Sequence, residues 1–440
     1  MRVRFWGTRG SIAKPGPSTL RYGGNTSCIA VEADDGTLVV IDCGTGCHDL
    51  ARELLSGPKS TTRGHLLVSH MHWDHIQGFP FFEPLFRSGG EWDVYGPGGH
   101  ARQLRSALAG QMSYEYHPVT LDAAAGTMRF HELTEGVFQA GSIRVTSQYL
   151  NHPALTLGYR LEADGAVVVY ASDHEPHALP PPGTTPVAPA HLEDLRHVRF
   201  LAGADLVIHD AQYELVDFPA KTGWGHSPVE SVVDYAVAAR IGRLALHHHD
   251  PLRDDDAVDR LTERAQRRAS HGAHVPDVFA AREGETIVLA PRPGRHAAAS
   301  GDERSSLLPE QPVDGLTVLL ISKRPESLPS VRAALDAEPL RLLHYADADA
   351  ALRHARSDQP ALLIVDREGE DDRDLAICRA VREDPRFGDV PLLLLTDARH
   401  GAEDMASAFR AGASDYLVQP IKPTLLRARV RSWLLRAWPA

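Results

Sequence analysis

Short runs of alternating hydrophobic and polar residues fill the first 290 positions, and several of these runs come in pairs. "CIAVEADDGTLVVID" is two such runs around Asp35-Gly36, and "TLGYRLEADGAVVVYASD" repeats the design around Asp164-Gly165. Asp-Gly between alternating runs is typical of a β-hairpin. The apolar residues have helical spacing over residues 99–110, 190–202, 228–240 and 254–269. Runs of strands with helices between and after them predict two sheets covered outside by helices.

The pattern changes after residues 291–314, a stretch rich in Pro, Gly, Ser and charge that has no apolar period. Such a composition predicts a linker. Beyond it, short apolar strands such as "ALLIVDR" and "VPLLLLTDA" alternate with helices. Five strand–helix units at this spacing predict a doubly wound parallel sheet. The chain is therefore expected to form two α/β domains, residues 1–290 and 315–440.

Composition and charge narrow the functional class. A hydrophobic content of 43% with 24% charged residues is typical of a soluble globular protein. The net charge of −12 makes a nucleic acid, bound mainly through its phosphates, an unexpected partner. The four cysteines have no zinc-knuckle spacing, which suits a reducing compartment, and no apolar run is long enough to cross a bilayer. A cytoplasmic protein without a membrane partner is expected.

Three histidines and an aspartate crowd into the stretch "LLVSHMHWDHIQGF", which begins as an apolar strand. His70 and His72 are two positions apart, so in extended backbone they project the same way. Asp74 and His75 follow where the chain turns toward a predicted helix. A solvated polar turn is the alternative. Four ligands from one turn cannot surround two metal ions, so further ligands must come from elsewhere in the chain.

Candidates for these further ligands stand at the ends of later strands. They are His152 after "SQYL", Asp173 after "VVVYAS", and the histidines 247–249 after "RLAL". A surface histidine is the alternative for His152 and a helix cap for Asp173. At most one or two of the three consecutive histidines can face a common site. Imidazole and carboxylate without thiolate suit two divalent ions, zinc first, with manganese or iron as alternatives.

"HMHWDH" resembles the HxHxDH signature of the metallo-β-lactamase superfamily, whose fold is an αββα sandwich with a binuclear metal site. The resemblance extends over residues 1–290 and implies two metal sites joined by a bridging aspartate. The implied ligands are His70, His72 and His152 for one metal, Asp74, His75 and His248 for the other, and Asp173 as the bridge. Asp42 in "VVIDCGTG" resembles the buried aspartate that orients a metal ligand in this family.

Three further motifs, "FWGTRGS", "DLVIHDAQY" and "GWGHSPVE", resemble the branch that includes tRNA 3′-processing endonuclease and cyclic phosphodiesterases. The resemblance implies that His226 contacts the phosphate or acts as a general acid, and that Asp210, in place of a glutamate, orients it. Asp74 is also expected to take part in catalysis. A capping or core role is the alternative for His226.

Paired metals can activate water and stabilise a leaving oxygen, which suits phosphodiesters but also lactones and other esters. We expect a small phosphodiester substrate, such as a cyclic nucleotide. An ester or lactone hydrolase and a non-catalytic signalling scaffold are the alternatives.

The C-terminal part resembles a response-regulator receiver, with Asp366 at the phosphoacceptor position and Thr396 after the next strand. It departs from the pattern at two places. Ser322 and Lys323 replace the acidic pair that holds magnesium, and Gln419 replaces a lysine. Phosphoryl transfer needs that positive charge. We therefore expect an unphosphorylated interaction or dimerisation surface, with Lys323 near Asp366.

Overall fold

The computed structural model describes residues 1–56, 62–98, 104–181, 183, 185–292, 316–325, 327–336, 340–356, 359–367, 373–384, 386–387, 390–397, 407–421 and 423–436. These residues form two compact units, one within residues 1–292 and the other within residues 316–436. Nearly all of the predicted linker, residues 291–314, lies outside the described residues. Of the helices that are described, none is long and apolar enough to cross a membrane.

The first unit contains two seven-stranded sheets. The strands of the first are β1 (Arg2–Gly7), β2 (Cys28–Glu32), β3 (Leu38–Ile41), β4 (Arg63–Leu67), β5 (Glu91–Pro97), β6 (Thr127–Leu133) and β14 (Thr286–Val288). Their order is β14-β1-β2-β3-β4-β5-β6. The strands from β3 to β6 are parallel, whereas β1, β2, β3 and β14 pair antiparallel.

The second sheet repeats this plan. Its strands are β7 (Gly136–Ala140), β8 (Ile143–Tyr149), β9 (Leu157–Ala163), β10 (Ala166–Ala171), β11 (Leu206–Asp210), β12 (Arg243–His247) and β13 (Asp277–Ala280). They lie in the order β13-β12-β11-β10-β9-β8-β7, antiparallel from β7 to β10 and parallel from β10 to β13. The hairpins predicted at Asp35-Gly36 and Asp164-Gly165 are the β2–β3 and β9–β10 connections.

Helices cover both sheets, as predicted. They are α1 (Cys47–Ser56), α2 (Trp73–Ile76), α3 (Leu104–Gly110), α4 (Leu192–Leu201), α5 (Phe218–Lys221), α6 (Val229–Ala238) and α7 (Asp255–Ser270), with 3-10 turns at Pro17–Thr19, Phe79–Phe81, Glu83–Leu85 and Leu121–Ala123. Apolar side chains of α1 and α3 pack on the first sheet, and those of α4, α6 and α7 pack on the second. The result is an αββα sandwich. Helix α1 was not among the helices predicted from the sequence.

The polar ends of the strands meet along one edge of this sandwich. Tyr170, from the end of β10, reaches across to donate a hydrogen bond to Asp42, which follows β3. Leu157 at the start of β9 donates its amide to the carbonyl of Ser69, beyond the end of β4. The two sheets therefore place the loops that carry the predicted ligands next to each other.

The second unit is a five-stranded parallel sheet in the order β16-β15-β17-β18-β19, as the alternating strand–helix pattern predicts. Its elements are β15 (Leu316–Ile321), α8 (Ser327–Leu335), β16 (Leu340–Tyr345), α9 (Ala348–Ala355), β17 (Leu362–Asp366), α10 (Arg373–Glu383), β18 (Leu392–Asp397), β19 (Asp415–Gln419) and α11 (Pro423–Arg436), with residues 407–410 also helical. Separate apolar clusters lie on the two faces of the sheet, so the inner strands β15, β17 and β18 are buried on both sides.

Candidate metal centre

The segment from the end of β4 through α2 carries four of the predicted ligands. His72 is the last extended residue before α2, with φ −70° and ψ 148°. Asp74 and His75 lie in the single turn of α2. His70 and His75 are fully buried and Asp74 is nearly so, whereas His72 is exposed. The short helix therefore turns two donors inward and leaves His72 at the mouth of the site.

One group of donor atoms, here called the first cluster, consists of His70, His72, His152 and Asp173, and one atom from each lies within 4.8 Å of the others. His72 Nδ1 lies 3.0 Å from His152 Nε2. Asp173 Oδ2 lies 3.6 Å from His70 Nε2 and 3.8 Å from His152 Nε2. Folding thus brings together the ends of β4, β8 and β10.

A second cluster consists of Asp74, His75 and His248, also with one atom from each within 4.8 Å of the others. His248 Nε2 lies 3.3 Å from His75 Nε2 and 3.1 Å from Asp74 Oδ2. Asp173 Oδ1 lies 3.2 Å from both of these imidazole nitrogens. Asp173 therefore turns one carboxylate oxygen toward each cluster, which is the arrangement that a bridging ligand requires.

The spacing within each cluster fits a metal ion. Bonds of about 2.0–2.1 Å in a tetrahedron place neighbouring ligand atoms about 3.3–3.4 Å apart. The separations quoted above run from 3.0 to 3.8 Å. Asp173 and His248 have left-handed backbone, with φ 64° and 59°. Residues held in such conformations often lie at functional sites.

The charge of the site also fits a cation. Asp42, Asp74 and Asp173 are buried, and within the described parts of the chain none of them pairs with a lysine or arginine. Burial disfavours protonation of His75, but Asp173, Asp74 and Asp42 outweigh it and raise its pKa well above the usual value. Burial, reinforced by His75, lowers the pKa of His70 well below the usual value. The pocket thus concentrates negative charge that a divalent ion would neutralise.

The three consecutive histidines after β12 point in different directions. His248 enters the second cluster, and Gln212 Oε1 lies 2.8 Å from its Nδ1. His247 donates from Nε2 to the carbonyl of Gly7 at 3.1 Å, and His249 donates from Nε2 to that of Ala281 at 2.9 Å. These two histidines are therefore bound to the backbone, and the structure places only His248 with the predicted ligands.

Asp42 lies beneath the loop that carries His70 and His75. Its Oδ2 is 2.7 Å from His75 Nδ1 and accepts from the hydroxyls of Ser69 at 2.9 Å and Tyr170 at 2.6 Å. Its Oδ1 accepts the amide of Ser69 at 2.7 Å. With Nδ1 held in this way, His75 presents Nε2 to the second cluster. Nothing in the sequence pattern indicates Tyr170, because its strand position alone does not show what it faces.

His226 and Asp210 lie beside both clusters. His226 Nδ1 is 3.1 Å from Asp210 Oδ2, and its ring centroid is 4.9 Å from that of His248 and 5.4 Å from that of His152. Burial lowers the pKa of His226, but Asp210 and, after it, Asp173 outweigh this and raise the pKa to about 9. Aspartate, although shorter than glutamate, therefore reaches the ring. Because Nδ1 of His226 contacts Asp210, Nε2 of His226 is the nitrogen available to a substrate.

Three residues that support the site were not predicted. Gln212 orients His248, and Ser11 donates its amide to Asp74 Oδ2 at 2.7 Å. Glu175 accepts the amides of Gly223 and Gly225, each at 2.7 Å. Gln212 and Glu175 stand two residues after Asp210 and Asp173, which is the only sequence signal that could have indicated them.

The second unit surrounds Asp366 with hydrogen-bond donors. Ser322 donates its hydroxyl to Asp366 Oδ2 at 2.7 Å, and Ser327 donates to the same oxygen. Gln419 Nε2 donates to Oδ1 at 2.8 Å, and Arg324 Nε lies 3.9 Å from Oδ1. Arg324 is thus a cation beside Asp366 that the sequence pattern did not indicate.

Comparison with known proteins finds relatives for both parts of the chain. Residues 37–249 match the family model for the β-lactamase superfamily domain. Ribonuclease Z of Lactococcus lactis subsp. lactis is 26% identical over 320 residues, which cover 63% of this chain and 98% of the relative. The structure of the short form of human tRNase Z has 20% identity and a TM-score of 0.44, covering 66% of this chain and 99% of that one.

The C-terminal region has its own relative. The response regulator PleD of Caulobacter vibrioides is 30% identical over 115 residues, which are 26% of this chain and 25% of the relative. The chain therefore combines a β-lactamase superfamily domain with a receiver-like region.

Proposed function

Starting from the β-lactamase superfamily domain of residues 37–249, we propose that this chain is a metal-dependent hydrolase that cleaves phosphodiesters, with a small phosphodiester such as a cyclic nucleotide as substrate. The arrangement of Asp173 carries the proposal. It turns one oxygen toward each of two donor clusters, and His226 stacks against a member of one of them. Two adjacent cation sites with a polar side chain above them suit an in-line displacement at phosphorus.

The two clusters would hold two divalent ions, zinc being favoured by the imidazole-rich donor set. His70, His72 and His152 would bind one ion, and Asp74, His75 and His248 the other, with Asp173 between them. Such a pair, when bound, supplies Lewis acidity for water and for the scissile phosphate. Asp74 would take part in catalysis only as a ligand of the second ion.

His226 is the proposed general acid. Its Nδ1–H donates to Asp210, which fixes the ring, and its Nε2 would hold a proton or donate a hydrogen bond at a non-bridging or leaving oxygen. Asp210 also accepts the amides of Gln212 at 2.9 Å and Ser227 at 3.1 Å. It is therefore a positioning residue whose own geometry is fixed by these two backbone amides.

RNA is a second candidate substrate. The curated relative that covers most of this domain is named a ribonuclease, so the expectation that nucleic acid is an unlikely partner has no support there. The net charge of −12 favours a small diester over a long strand. An ester or lactone hydrolase would use the same clusters without needing His226.

The test is hydrolysis of bis(p-nitrophenyl) phosphate by protein reconstituted with zinc or manganese. We expect release of p-nitrophenolate that falls at least a hundredfold in Asp173→Ala, since both metal sites lose a ligand. Asp93→Ala is the matched control: it removes a carboxylate that pairs with Arg129 away from the clusters, so activity should persist.

Two outcomes would contradict the proposal. If the protein binds two metal ions but hydrolyses only p-nitrophenyl acetate, the carboxylic-ester alternative takes its place. If it binds no metal, the hydrolase assignment of these clusters fails.

We propose a regulatory or dimerising role for residues 315–440, joined through the linker to a hydrolase of residues 1–290 in the cytoplasm. The donors around Asp366 support it, because they occupy the carboxylate that a phosphoryl group would need.

A further inference from the structure

Two of the four tryptophans in the first unit are exposed. Trp73 is 72% exposed and Trp224 is 52% exposed, whereas Trp6 and Trp92 are buried. An exposed large aromatic side chain does not gain the stabilisation of burial. Beside a binding site, such a residue is a candidate for contact with a ligand. Both tryptophans adjoin residues of the proposed catalytic site in sequence.

Trp73 stands between two predicted ligands. It is the first residue of α2, after His72 and before Asp74. Asp74 and His75 turn inward and are buried, so the same helical turn directs Trp73 to the outside. His72, which is also exposed, contacts His152 at 3.0 Å. Trp73 therefore lies beside the mouth of the first cluster.

Trp224 is near the other histidine of this pair, His152. The carbonyl of its neighbour Gly225 accepts from His152 Nδ1 at 2.9 Å. Gly225 has φ 87°, and a Cβ there would lie 2.1 Å from His152 Nδ1, so the backbone is pressed against the imidazole. Glu175 holds the amides of Gly223 and Gly225. Trp224 is thus anchored at the rim by bonds on both sides.

The ammonium group of Lys221 lies beside Trp224. Lys221 Nζ lies 4.2 Å from the centroid of the Trp224 ring and 5.5 Å from that of Tyr213. The Tyr213 ring is in turn 5.7 Å from that of His226. In a chain with a net charge of −12, a lysine on this side of the site favours an anionic substrate.

We propose that Trp73 and Trp224 form an aromatic rim on which a nucleobase of the substrate stacks while its phosphate lies at the metal clusters, with Lys221 as the counter-charge. The proposal rests on the phosphodiesterase function proposed above and narrows its substrates to nucleotides. Indole rings stack on any base, because every base has a π-face. A stacking rim therefore predicts nucleotide preference with little selection among bases.

The experiment compares two substrates that differ only in the base. One is thymidine 5′-(p-nitrophenyl) phosphate, and the other carries an abasic deoxyribose in place of thymidine. Each tryptophan is changed to Leu, which removes stacking, and to Phe, which keeps a ring. We expect kcat/KM for the thymidine diester to fall about tenfold more than that for the abasic diester in Trp73→Leu and Trp224→Leu, and much less in the Phe variants.

Equal losses on both substrates, or losses as large in the Phe variants, would overturn the aromatic rim and leave the phosphodiesterase in place. If the wild type hydrolyses neither substrate, the proposed function fails. Nucleotide binding then tests the aromatic rim separately. AMP should then still quench tryptophan fluorescence in the wild type, and less in the two Leu variants. Absence of quenching in the wild type would refute the rim.

A further pair of substrates tests whether the stacked nucleobase belongs to a free nucleotide or to an RNA strand. The same variants are measured with a 2′,3′-cyclic nucleotide and with a short single-stranded oligoribonucleotide. A selective loss on the cyclic nucleotide assigns the rim to free nucleotides, and a selective loss on the oligomer assigns it to RNA. No loss on either contradicts the proposal.

Discussion

At the scale of single residues, the candidate site depends on side chains that touch no substrate. Asp42 receives contacts from His75, Ser69 and Tyr170, and with φ 59° it is itself in the left-handed region. Asparagine tolerates that conformation. The carboxylate can therefore be neutralised without disturbing the backbone, which isolates its effect on His75.

We expect Asp42→Asn to weaken metal binding by about 10- to 100-fold, because the amide no longer stabilises the Nδ1–H tautomer of His75. Tyr170→Phe is the milder comparison, since it removes one donor to Asp42 and leaves the carboxylate in place. Chelator competition with zinc measures both. Unchanged affinity in Asp42→Asn would show that His75 is oriented by packing alone.

At the scale of elements, α4 and β11 meet through two buried imidazoles. His209 donates from Nδ1 to the carbonyl of Asp210 at 2.8 Å, so its Nε2 accepts from His197 Nε2, 2.9 Å away. The His197 ring also stacks on that of His174 at 4.0 Å. Protonating His209 at Nε2 would set two N–H groups against each other, and protonating His197 at Nδ1 would bury an N–H that has no recorded acceptor. Burial, then His209 and Arg196, hold the pKa of His197 well below its usual value.

This lowered pKa predicts an acid-sensitive first unit. Below about pH 6.5 the unfolded chain takes up a proton that folded His197 does not, so each such histidine removes up to about 1.4 kcal/mol of stability per pH unit. His197→Gln keeps a donor for His209 and should flatten the decline. Urea unfolding of chelator-treated protein at pH 7.5 and 5.5 measures it.

His48→Gln, at an exposed position of α1, is the control for the substitution itself. If His197→Gln and the wild type lose the same stability between pH 7.5 and pH 5.5, His197 does not contribute to the acid sensitivity. The same comparison would then direct attention to the other buried histidines of the first unit.

At the scale of the whole molecule, the chain joins a hydrolase domain to a receiver-like region whose central aspartate is already occupied. Arg324 connects two of the groups there: it donates from Nη1 to Gln419 Oε1 at 3.2 Å and from Nη2 to the carbonyl of Arg367 at 2.7 Å. Gln419 donates to Asp366 in turn. This network replaces the metal and lysine that a phosphorylatable receiver uses.

We expect no phosphorylation of Asp366 when the full chain is incubated with acetyl phosphate and Mg²⁺, because hydroxyl, amide and guanidinium groups already hold its oxygens. Intact-mass measurement checks this, with a receiver that has the acidic pair and the lysine as positive control. A gain of one phosphoryl group that Asp366→Asn abolishes would contradict the expectation and make the region a phosphorylation switch.

The sequence by itself determined the local elements and much of the chemistry. Alternation around Asp-Gly turns marked the hairpins, and the spacing of His70, His72, Asp74 and His75 marked the loop as a ligand source. Both are properties of a few consecutive residues, whose geometry follows from backbone periodicity. Helix α1 was missed although its buried residues Cys47, Leu50 and Ala51 have helical spacing.

Only the tertiary structure decided which distant side chains share the site. Which of the histidines 247–249 turns inward depends on the carbonyls of Gly7 and Ala281, which are 240 and 32 positions away from the histidines they bind. The contacts of Tyr170, Gln212, Glu175 and Arg324 were likewise not indicated by the sequence. A side chain's partner across a sheet or loop is set by how the layers pack, and periodicity along one strand carries no record of that packing.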